Sequence, residues 1–380
     1  MSDRILTTHV GSLPRPKDLS DLLLRRAADE EIDAALFETT AARAVHDVVA
    51  RQKQAGVDIP SDGEMSKVSY ATYVSERLTG FSGDSPRRVP GDLALVPNFT
   101  RRLVSTGATP RARRPCCTGE IRVRTTAPLE ADIAHFQAAL LANGYTQGFM
   151  NAAAPGIIAL FQPNRHYPSE DAYLEALAAA MAPEFRRIVE AGLVLQVDSP
   201  DLALGRHVMF AELSDDEFVR RMGSHVAVLN TALAGIPPER VRLHLCWGNY
   251  EGPHTMDIPL ERILPTVLGI RAGALSFEGA NPRHAHEWRV FRDIKVPEDR
   301  VLIPGVIDSC TNYVEHPELV AERICRYADI VGRERVIAGT DCGFATFAGF
   351  GPIDPDITWM KLDALAEGAR LASKTLWAAA

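Results

Sequence analysis

The feature of this sequence that most constrains its fold is a regular alternation of apolar, β-prone segments with amphipathic helical segments. Eight apolar segments are each followed by a stretch with helical periodicity. The first apolar segment begins at Ile5 and the second covers residues 57–62. The predicted helices include residues 34–54, 259–272, a helix from about residue 284, 317–331 and 356–377. Alternating β and α elements with apolar strands predict a parallel sheet, and eight such units close a (β/α)8 barrel. We therefore predict an α/β fold, a single (β/α)8 TIM barrel domain over residues 1–380.

One part of the chain departs from this alternation. Residues 82–128 are rich in Gly, Pro and Arg and have little helical periodicity, so we predict that they form an insertion after the second βα unit. The alternative fold is an open, doubly wound sheet that binds a dinucleotide. No G-x-G-x-x-G motif follows the first strand, which argues against that alternative.

Composition and charge exclude several classes of function. The chain has 46% hydrophobic and 24% charged residues, as ordinary globular proteins do. A formal net charge of −8 argues against nucleic acid as a partner, because phosphate binding needs a basic face. The apolar segments are short and interrupted by charges, and the N-terminus lacks the pattern of a secretory signal. We expect a cytoplasmic protein that acts on small molecules and has no nucleic acid or membrane partner.

The six cysteines are too few and too scattered for a disulfide framework, so reduced thiols or metal ligands are expected. Adjacent Cys116 and Cys117 are interpreted as loop thiols, with a redox or metal role as the alternative. Cys310 and Cys325 are interpreted as small buried hydrophobic residues.

Polar side chains cluster at the carboxyl ends of the predicted strands, where the active site of a barrel lies. In chain order these residues are Ser12, Asp62 with Glu64, Asn151, Asp198, His244 with Cys246, Glu278, Asp308 and Cys342. Any strand ends in a polar turn, so Asp198 and Asp308 have the alternative of capping the segment that follows. We take Glu64, Asp198 and Asp308 as candidate catalytic carboxylates.

The histidine and the two cysteines of this set are softer metal ligands than its carboxylates, and they predict a metal site. His244 and Cys246 stand two residues apart in an apolar strand, so both side chains point to one face. Glu278 and Cys342 end two other strands, and a closed barrel brings all four side chains into one mouth. One nitrogen, two sulfurs and one oxygen suit tetrahedral Zn²⁺. The alternative for each residue alone is a satisfied core histidine or a small buried cysteine.

Several motifs together resemble the catalytic barrel of the cobalamin-independent methionine synthase family. They are Thr7-Thr-His-Val-Gly-Ser-Leu-Pro-Arg15, Asp62-Gly-Glu64, His244-Leu-Cys246, the strand end at Glu278 and Thr340-Asp-Cys-Gly343. The resemblance covers nearly the whole chain. It implies Zn²⁺ as cofactor, bound by His244, Cys246, Glu278 and Cys342. It also implies that the substrate thiol is held by His9, Val10, Gly11, Ser12, Glu64 and Asp198.

The activity that this resemblance implies is zinc-dependent transfer of a methyl or other alkyl group to a zinc-bound thiolate, with homocysteine as the acceptor. The partners are then a small-molecule thiol and an alkyl donor. A free thiol has a pKa of about 8.5 and is mostly protonated at neutral pH, whereas coordination to Zn²⁺ deprotonates it. A labile oxygen ligand beside three firmer ligands keeps one coordination position exchangeable.

Two departures from the family pattern leave the alkyl donor open. The family has Asp-Ile-His after the seventh strand, where the histidine assists proton delivery to the folate leaving group, and this chain has Asp308-Ser309-Cys310. It also has Asp198-Ser199-Pro200 in place of Asp-Glu-Pro. One alternative is an epoxyalkane:coenzyme M transferase, in which Arg15, Arg165 or Arg283 could bind a sulfonate. The other is a metal-free barrel, either uroporphyrinogen-decarboxylase-like or a non-catalytic binding protein.

Overall fold

The computed structural model describes residues 3–86, 88–105, 114–351 and 353–378. The strands within these residues are β1 (Leu6–Thr7), β2 (Phe81–Ser82), β3 (Cys116–Cys117), β4 (Phe149–Ala153), β5 (Val194–Asp198), β6 (Val241–Leu245), β7 (Ala274–Phe277), β8 (Val301–Ile307) and β9 (Ile337–Thr340). The α-helices are α1 (Lys17–Ala27), α2 (Ala34–Gln54), α3 (Val74–Arg77), α4 (Gly91–Ala94), α5 (Pro97–Ser105), α6 (Ala127–Ala142), α7 (Pro155–Phe161), α8 (Glu170–Glu190), α9 (Gly205–Val208), α10 (Asp215–Ala232), α11 (Leu260–Val267), α12 (Val290–Asp293), α13 (Pro317–Val331) and α14 (Pro355–Ala378).

Seven strands form one curled, parallel sheet in the order β1, β9, β8, β7, β6, β5, β4. From β4 to β9 each strand pairs with the next strand of the chain, and β9 pairs with β1. Such parallel pairs need a crossover connection, which the intervening helices supply. The sheet strands are almost entirely buried, as expected when both faces of a parallel sheet are covered. The predicted α/β class and parallel sheet are confirmed.

The segment predicted as the second strand, residues 57–62, is not a regular strand. It makes two isolated parallel bridges, Thr8 to Ile59 and Ser61 to Phe149, and so lies between the edge strands β1 and β4. Pro60 has no N–H group and cannot extend the ladder, although its carbonyl accepts a hydrogen bond from Phe149 N at 2.9 Å. The prediction of eight regular strands is therefore wrong by one strand.

Most helices match the sequence pattern, and two do not. The helices predicted at 34–54 and 317–331 have those bounds in the structure. The helix predicted over 259–272 ends at Val267, close to the internal Pro265. The helix predicted from residue 284 is a 3-10 turn over Glu287–Arg289 followed by the four-residue α12.

The region predicted as an insertion has local structure of its own. Helices α4 and α5 lie in it, and β2 pairs with β3 in an antiparallel ribbon. Cys116 and Cys117 form β3 with buried side chains, so their predicted location in a loop is wrong. Arg165 N donates a hydrogen bond to Cys117 O at 2.9 Å, which ties the ribbon to the loop after α7.

A buried ion pair anchors the loop that follows β8. Lys361 on α14 is fully buried and forms an ion pair with Glu315 at 2.9 Å. The other carboxylate oxygen of Glu315 accepts a hydrogen bond from Asp308 N at 2.7 Å. None of the helices within the described residues is both long and apolar enough to cross a membrane.

We expect Lys361→Ala to lower the free energy of unfolding by about 3–5 kcal/mol, because the substitution leaves a buried carboxylate without its cation. The measurement is urea denaturation followed by circular dichroism. The matched control is Lys17→Ala, because Lys17 pairs with Asp21 on the exposed surface of α1. That change should cost less than about 1 kcal/mol. Equal effects of the two substitutions would contradict the anchoring role of Lys361.

Candidate active site

Two strand ends bring three soft metal ligands together. His244 and Cys246 stand at the carboxyl end of β6, and Cys342 follows β9 by two residues. One ligand atom from each residue lies within 4.8 Å of the other two, and all three residues are buried. His244 Nε2 is 3.6 Å from Cys342 Sγ. We call these three residues the His-Cys-Cys group.

The electrostatics of the His-Cys-Cys group fit a bound cation. The pKa of the Cys342 thiol is raised well above its ordinary value, because Cys342 contacts Cys246 and is buried. Two adjacent buried thiolates repel each other, and a divalent cation between them removes that cost. Burial lowers the pKa of His244 to about 3, so the imidazole is neutral and has a lone pair for a metal. The donor set therefore fits Zn²⁺.

Glu278, the fourth predicted ligand, lies beside this group but is not one of its three members. It directly follows β7, and its Oε1 accepts a hydrogen bond from Trp247 N at 2.7 Å, next to Cys246 in the chain. Its Oε2 accepts from Asn281 Nδ2 at 2.6 Å. Burial raises the pKa of Glu278 to about 7. Its carboxyl group is thus near the cysteines and held by two protein donors.

A small inner cavity of 30 Å³ opens on the His-Cys-Cys group, and Ser12, Glu64 and Asp198 also line it. Ser12 Oγ and Glu64 Oε2 in the lining of this cavity, and Asn151 Oδ1 beside Gly11, are buried polar atoms without a hydrogen-bond partner among the described residues. Buried polar groups are normally satisfied, so this cluster of unpaired atoms indicates a place for a polar ligand. The structure thus brings three of the four predicted metal ligands and part of the predicted substrate set into one site.

The two carboxyl groups of the inner cavity have raised pKa values because they are buried. Burial raises the pKa of Glu64 to about 8, and Lys67 opposes that shift. Burial raises the pKa of Asp198 to about 6, while hydrogen bonds from Asn151 at 2.9 Å and Gln196 at 2.7 Å favour its ionised form. An approaching cation would lower both values.

The backbone around this cavity is packed so closely that two positions require glycine. A Cβ atom on Gly11 would stand 2.7 Å from Glu64 Oε1 and 2.5 Å from Asn151 Oδ1. A Cβ atom on Gly343 would stand 2.1 Å from Ser12 Oγ. Glu64 itself has a φ of 56°, a left-handed conformation that is uncommon for a non-glycine residue. These contacts fix the Gly11-Ser12 turn against the loop that carries Glu64.

The other residues of the β1 motif shape the turn. His9 Nε2 is 2.7 Å from Gln52 Oε1, and His9 Nδ1 accepts a hydrogen bond from Gly11 N at 3.2 Å. Both ring nitrogens of His9 are therefore used within the protein. Val10 lines the inner cavity, and its carbonyl accepts a hydrogen bond from Asn151 Nδ2 at 2.9 Å.

Asp308 and Arg15 have structural partners at their charged groups. The Asp308 carboxylate accepts hydrogen bonds from Cys310 N and Thr311 N, each at 2.9 Å, and so caps the loop after β8. The Arg15 guanidinium donates to two backbone carbonyls, those of Glu64 at 2.8 Å and Ala345 at 2.6 Å. Both side chains therefore hold loops in place, and the catalytic role of Asp308 stays a prediction.

Three further residues, Tyr70, Asn249 and Thr346, line the inner cavity and were not predicted as site residues. Asn249 donates to Gly343 O at 2.7 Å, and its Oδ1 lies 3.3 Å from Cys310 Sγ, so Cys310 belongs to the site surroundings. Asn249 could have been predicted as a site residue, because it follows Cys246 by only three residues. Tyr70 and Thr346 lie in irregular loops, whose approach to the site no periodicity indicates.

The same three residues also line a larger outer cavity of 280 Å³. The inner cavity has room for about one or two water molecules, whereas the outer cavity has the size of a small ligand site. The two cavities are therefore neighbours that share Tyr70, Asn249 and Thr346 in their lining.

A second cluster of metal-ligand residue types, formed by His254, Asp257 and His284, is an ion-paired network. Asp257 Oδ2 is 2.9 Å from His254 Nδ1 and 2.9 Å from His284 Nε2. The remaining ring nitrogens face Tyr250 O at 3.0 Å and Glu287 Oε2 at 2.7 Å. All four contacts are made to acceptor oxygens, so both rings carry two protons. Although burial opposes the charge, the Asp257 hydrogen bonds raise the pKa of His254 to about 9 and that of His284 to about 10.

Comparison with known proteins agrees with this geometry. Residues 5–89 and 124–350 match the family described as the cobalamin-independent synthase, catalytic domain. A methionine synthase of Sulfolobus acidocaldarius is 27% identical over an alignment of 354 residues that covers 90% of this chain and 87% of the relative. A methionine synthase of Saccharolobus solfataricus is 26% identical over 378 residues, covering 97% of this chain and 95% of the relative.

Two solved structures share the fold. A B12-independent methionine synthase from Shewanella sp. W3-18-1, in complex with selenomethionine, superposes with a TM-score of 0.75 at 20% identity and covers 99% of both chains. A putative vitamin-B12 independent methionine synthase from Listeria monocytogenes has a TM-score of 0.65 at 18% identity and covers 97% of this chain and 98% of its own. The curled parallel sheet is thus TIM-barrel-like. Given the match over most of its length, the chain belongs to the family of cobalamin-independent synthase catalytic domains.

Proposed function

We propose that this chain transfers a methyl group to the sulfur of homocysteine, with the thiol held at a Zn²⁺ ion bound by His244, Cys246 and Cys342. Glu278 is proposed as the exchangeable fourth ligand. The observation that carries the proposal is the common location of the His-Cys-Cys group and the unpaired polar atoms of Ser12 and Glu64. Family membership supports an enzyme of the methyltransferase type.

The residues of the inner cavity suit the amino-acid part of homocysteine. When bound, Zn²⁺ supplies a Lewis acid that keeps a coordinated thiol deprotonated at neutral pH. Glu64 and Asp198 present carboxyl groups for the ammonium group of the substrate, and Ser12 Oγ offers a donor for its carboxylate. These contacts orient the sulfur toward the outer cavity. Because the inner cavity holds only 30 Å³, substrate binding requires it to open toward the outer cavity.

The charge of the inner cavity favours homocysteine over coenzyme M. Its charged lining residues, among those that the structure describes, are Glu64 and Asp198, and no Arg or Lys lines it. An ammonium group lowers the pKa of both carboxyl groups and binds their ionised forms, whereas these carboxylates repel the sulfonate of coenzyme M. Arg15, a candidate sulfonate ligand, donates to backbone carbonyls instead. The epoxide-opening alternative therefore has less support than methyl transfer.

We also infer that residues 1–380 are a single (β/α)8 barrel domain with an insertion at 82–128. The bridges of Ile59 to Thr8 and of Ser61 to Phe149 support closure, because they join one segment to both edges of the sheet. The family match omits residues 90–123, which supports the insertion.

A thiol titration of the cobalt-substituted protein tests the proposed substrate. Added thiolate ligands change the visible absorption of a protein-bound Co²⁺ ion, so binding at the metal is seen directly. We expect homocysteine to change the spectrum at concentrations at least about 10-fold below those needed for coenzyme M, since a charge-assisted hydrogen bond contributes about 1.5–3 kcal/mol. Stronger binding of coenzyme M would contradict the proposal, as would no response to either thiol.

The pH dependence of methionine binding tests the role of Glu64 without a substrate thiol. The pKa of Glu64 is raised to about 8, so its carboxyl group is protonated below that pH in the ligand-free protein. An ammonium group binds the ionised form, so we expect the affinity for methionine to rise from pH 6 to pH 8 and then level off. Isothermal titration calorimetry at each pH measures the affinity for methionine. Glu64→Gln should remove most of the pH dependence, and a wild-type pH profile in that variant would contradict the assignment.

A further inference from the structure

Lys67 is a buried lysine to which the thiol site described above gives no role. Only 2% of its surface is exposed. Its Nζ donates a hydrogen bond to Asn151 O at 2.5 Å and lies over the Tyr73 ring, 4.6 Å from the centroid. Among the described residues, Lys67 forms no ion pair with a carboxylate. Buried charges are normally paired with an opposite charge, so this ammonium requires an explanation beyond packing.

Lys67 is connected to both carboxyl groups that are proposed to bind the ammonium group of homocysteine. Lys67 N donates to Glu64 O at 3.1 Å, which places the two residues in one turn. Asn151, whose carbonyl accepts from the Lys67 ammonium, donates through its Nδ2 to Asp198 Oδ2 at 2.9 Å. Glu64 Oε2 has no hydrogen-bond partner among the described residues. Lys67 itself does not line the inner cavity, so it reaches a bound ligand only through such neighbours.

Among the charged groups around Glu64, Lys67 has the largest effect on its ionisation. Burial raises the pKa of Glu64 to about 8, and Lys67 opposes this shift. Arg15 also opposes the shift, but more weakly. The carboxyl groups of Asp198 and Asp62 reinforce it, since like charges disfavour ionisation. Lys67 is therefore the main cation that favours the ionised form of Glu64.

We propose that Lys67 is a positioning residue of the amino-acid site (Ser12, Glu64 and Asp198), and that its buried ammonium lets Glu64 ionise near neutral pH and so bind the ammonium group of the ligand. The inference rests on the proposed function, in which Glu64 accepts that group. A carboxylate forms a charge-assisted hydrogen bond with an ammonium, whereas a protonated carboxyl group is a weaker partner. Without Lys67, burial would keep Glu64 protonated to a higher pH, and the site would bind an amino acid more weakly at neutral pH.

The test compares methionine binding by the wild-type chain and by Lys67→Gln, both loaded with zinc. Glutamine keeps an N–H donor for Asn151 O but has no charge. Loss of the ammonium should move the ionisation of Glu64 to higher pH by at least about 1 pH unit, because a nearby opposite charge commonly lowers a carboxyl pKa by about 1–3. Calorimetry gives both Kd values at each pH, and their ratio cancels the titration of methionine itself.

We expect the Kd of Lys67→Gln divided by that of the wild type to fall at least about 5-fold from pH 6 to pH 9.5. At pH 6 the variant has the smaller ionised fraction of Glu64, whereas at pH 9.5 Glu64 is largely ionised in both proteins. A purely structural effect of the substitution would give a ratio that does not change with pH. That result would overturn the proposal.

Three further variants separate charge from packing. Lys67→Arg keeps the charge and should give a ratio that is constant with pH. Lys67→Met buries an apolar side chain in place of an ammonium and should repeat the result of Lys67→Gln. Lys53→Met is the matched control, because Lys53 also lies over a tyrosine ring, 4.5 Å from the centroid of Tyr145, but is exposed on α2. It should leave the Kd unchanged at every pH. A falling ratio in Lys67→Arg or a constant ratio in Lys67→Met would overturn the charge assignment.

The stability of the ligand-free protein separates this inference from the proposed function. Because burial raises the pKa of Glu64 to about 8, ionisation of Glu64 costs stability as the pH rises to that value. Urea denaturation should therefore show that the stability gained by Glu64→Gln stops growing near pH 8 in the wild-type background. In the Lys67→Gln background the gain should keep growing to about pH 9 or beyond. The same end point in both backgrounds would overturn the role of Lys67 even if methionine binds. Different end points without any methionine binding would refute the proposed function and leave the effect of Lys67 on Glu64 in place.

Discussion

Cys342→Ser is expected to weaken zinc binding by more than about 100-fold and to abolish methyl transfer. Changes to residues that merely orient metal ligands already cost about 10–100-fold in metal affinity, and Cys342 is proposed as a direct ligand. A serine hydroxyl does not ionise at neutral pH and is a poor ligand for Zn²⁺. Metal analysis after dialysis against a weak chelator measures the effect, and Cys246→Ser should behave in the same way.

The matched control for this substitution is Cys325→Ser. Cys325 lies half-buried on α13, outside the His-Cys-Cys group. Its substitution should leave one zinc per chain and an unchanged rate. If Cys342→Ser retained a full zinc complement while Cys325→Ser lost it, the proposed ligand set would be refuted.

Glu64→Gln is expected to make the protein more stable at pH 8 and less able to bind homocysteine. Burial raises the pKa of Glu64 from 4.5 to about 8, so the folded protein binds a proton that the unfolded chain has released. Wild-type stability therefore falls as the pH rises from 4.5 to about 8, with about 1.4 kcal/mol for each pKa unit. Glutamine has no such ionisation, so the variant should gain up to about 4 kcal/mol at pH 8 and almost nothing at pH 4.

The Glu64→Gln substitution should also weaken homocysteine binding while it makes the protein more stable at pH 8. Removing one charged hydrogen-bond acceptor for the substrate ammonium group is expected to weaken homocysteine binding by roughly 10–100-fold. Urea denaturation at both pH values and calorimetric titration measure the two effects. Glu261→Gln, on the exposed face of α11, is the control and should change neither quantity. A variant that is destabilised at pH 8 would contradict the account of Glu64 as a strained ligand-binding carboxyl.

The grouping of His244, Cys246 and Cys342 was predictable because it follows from the period of one strand and from the alternation of strands and helices. The spacing of His244 and Cys246 fixes both on one face of β6, and the alternation of strands and helices places Cys342 at the same end of the sheet. Glu278 was found by the same logic, but its two hydrogen bonds to Trp247 N and Asn281 were not visible in the sequence. Those bonds depend on how two loops meet.

The parts that sequence reasoning missed depend on long-range packing. Pro60 reduces the expected second strand to two bridges, although the segment still lies between β1 and β4. The sequence left two roles open for Asp308, and only the structure shows that its carboxylate caps the loop after β8. The approach of Tyr70 and of the inserted segment to the metal site follows from tertiary contacts, which have no periodic signature.

X-ray absorption spectroscopy of the zinc-loaded protein tests the central claim most directly, because it reports the atoms bound to the metal. The proposed set predicts two sulfur neighbours at about 2.3 Å and nitrogen or oxygen neighbours at about 2.0–2.2 Å. Homocysteine should add a third sulfur and remove one oxygen neighbour. A first shell of nitrogen and oxygen alone would place the metal elsewhere, for example at His254, Asp257 and His284, and would contradict thiol activation at the His-Cys-Cys group.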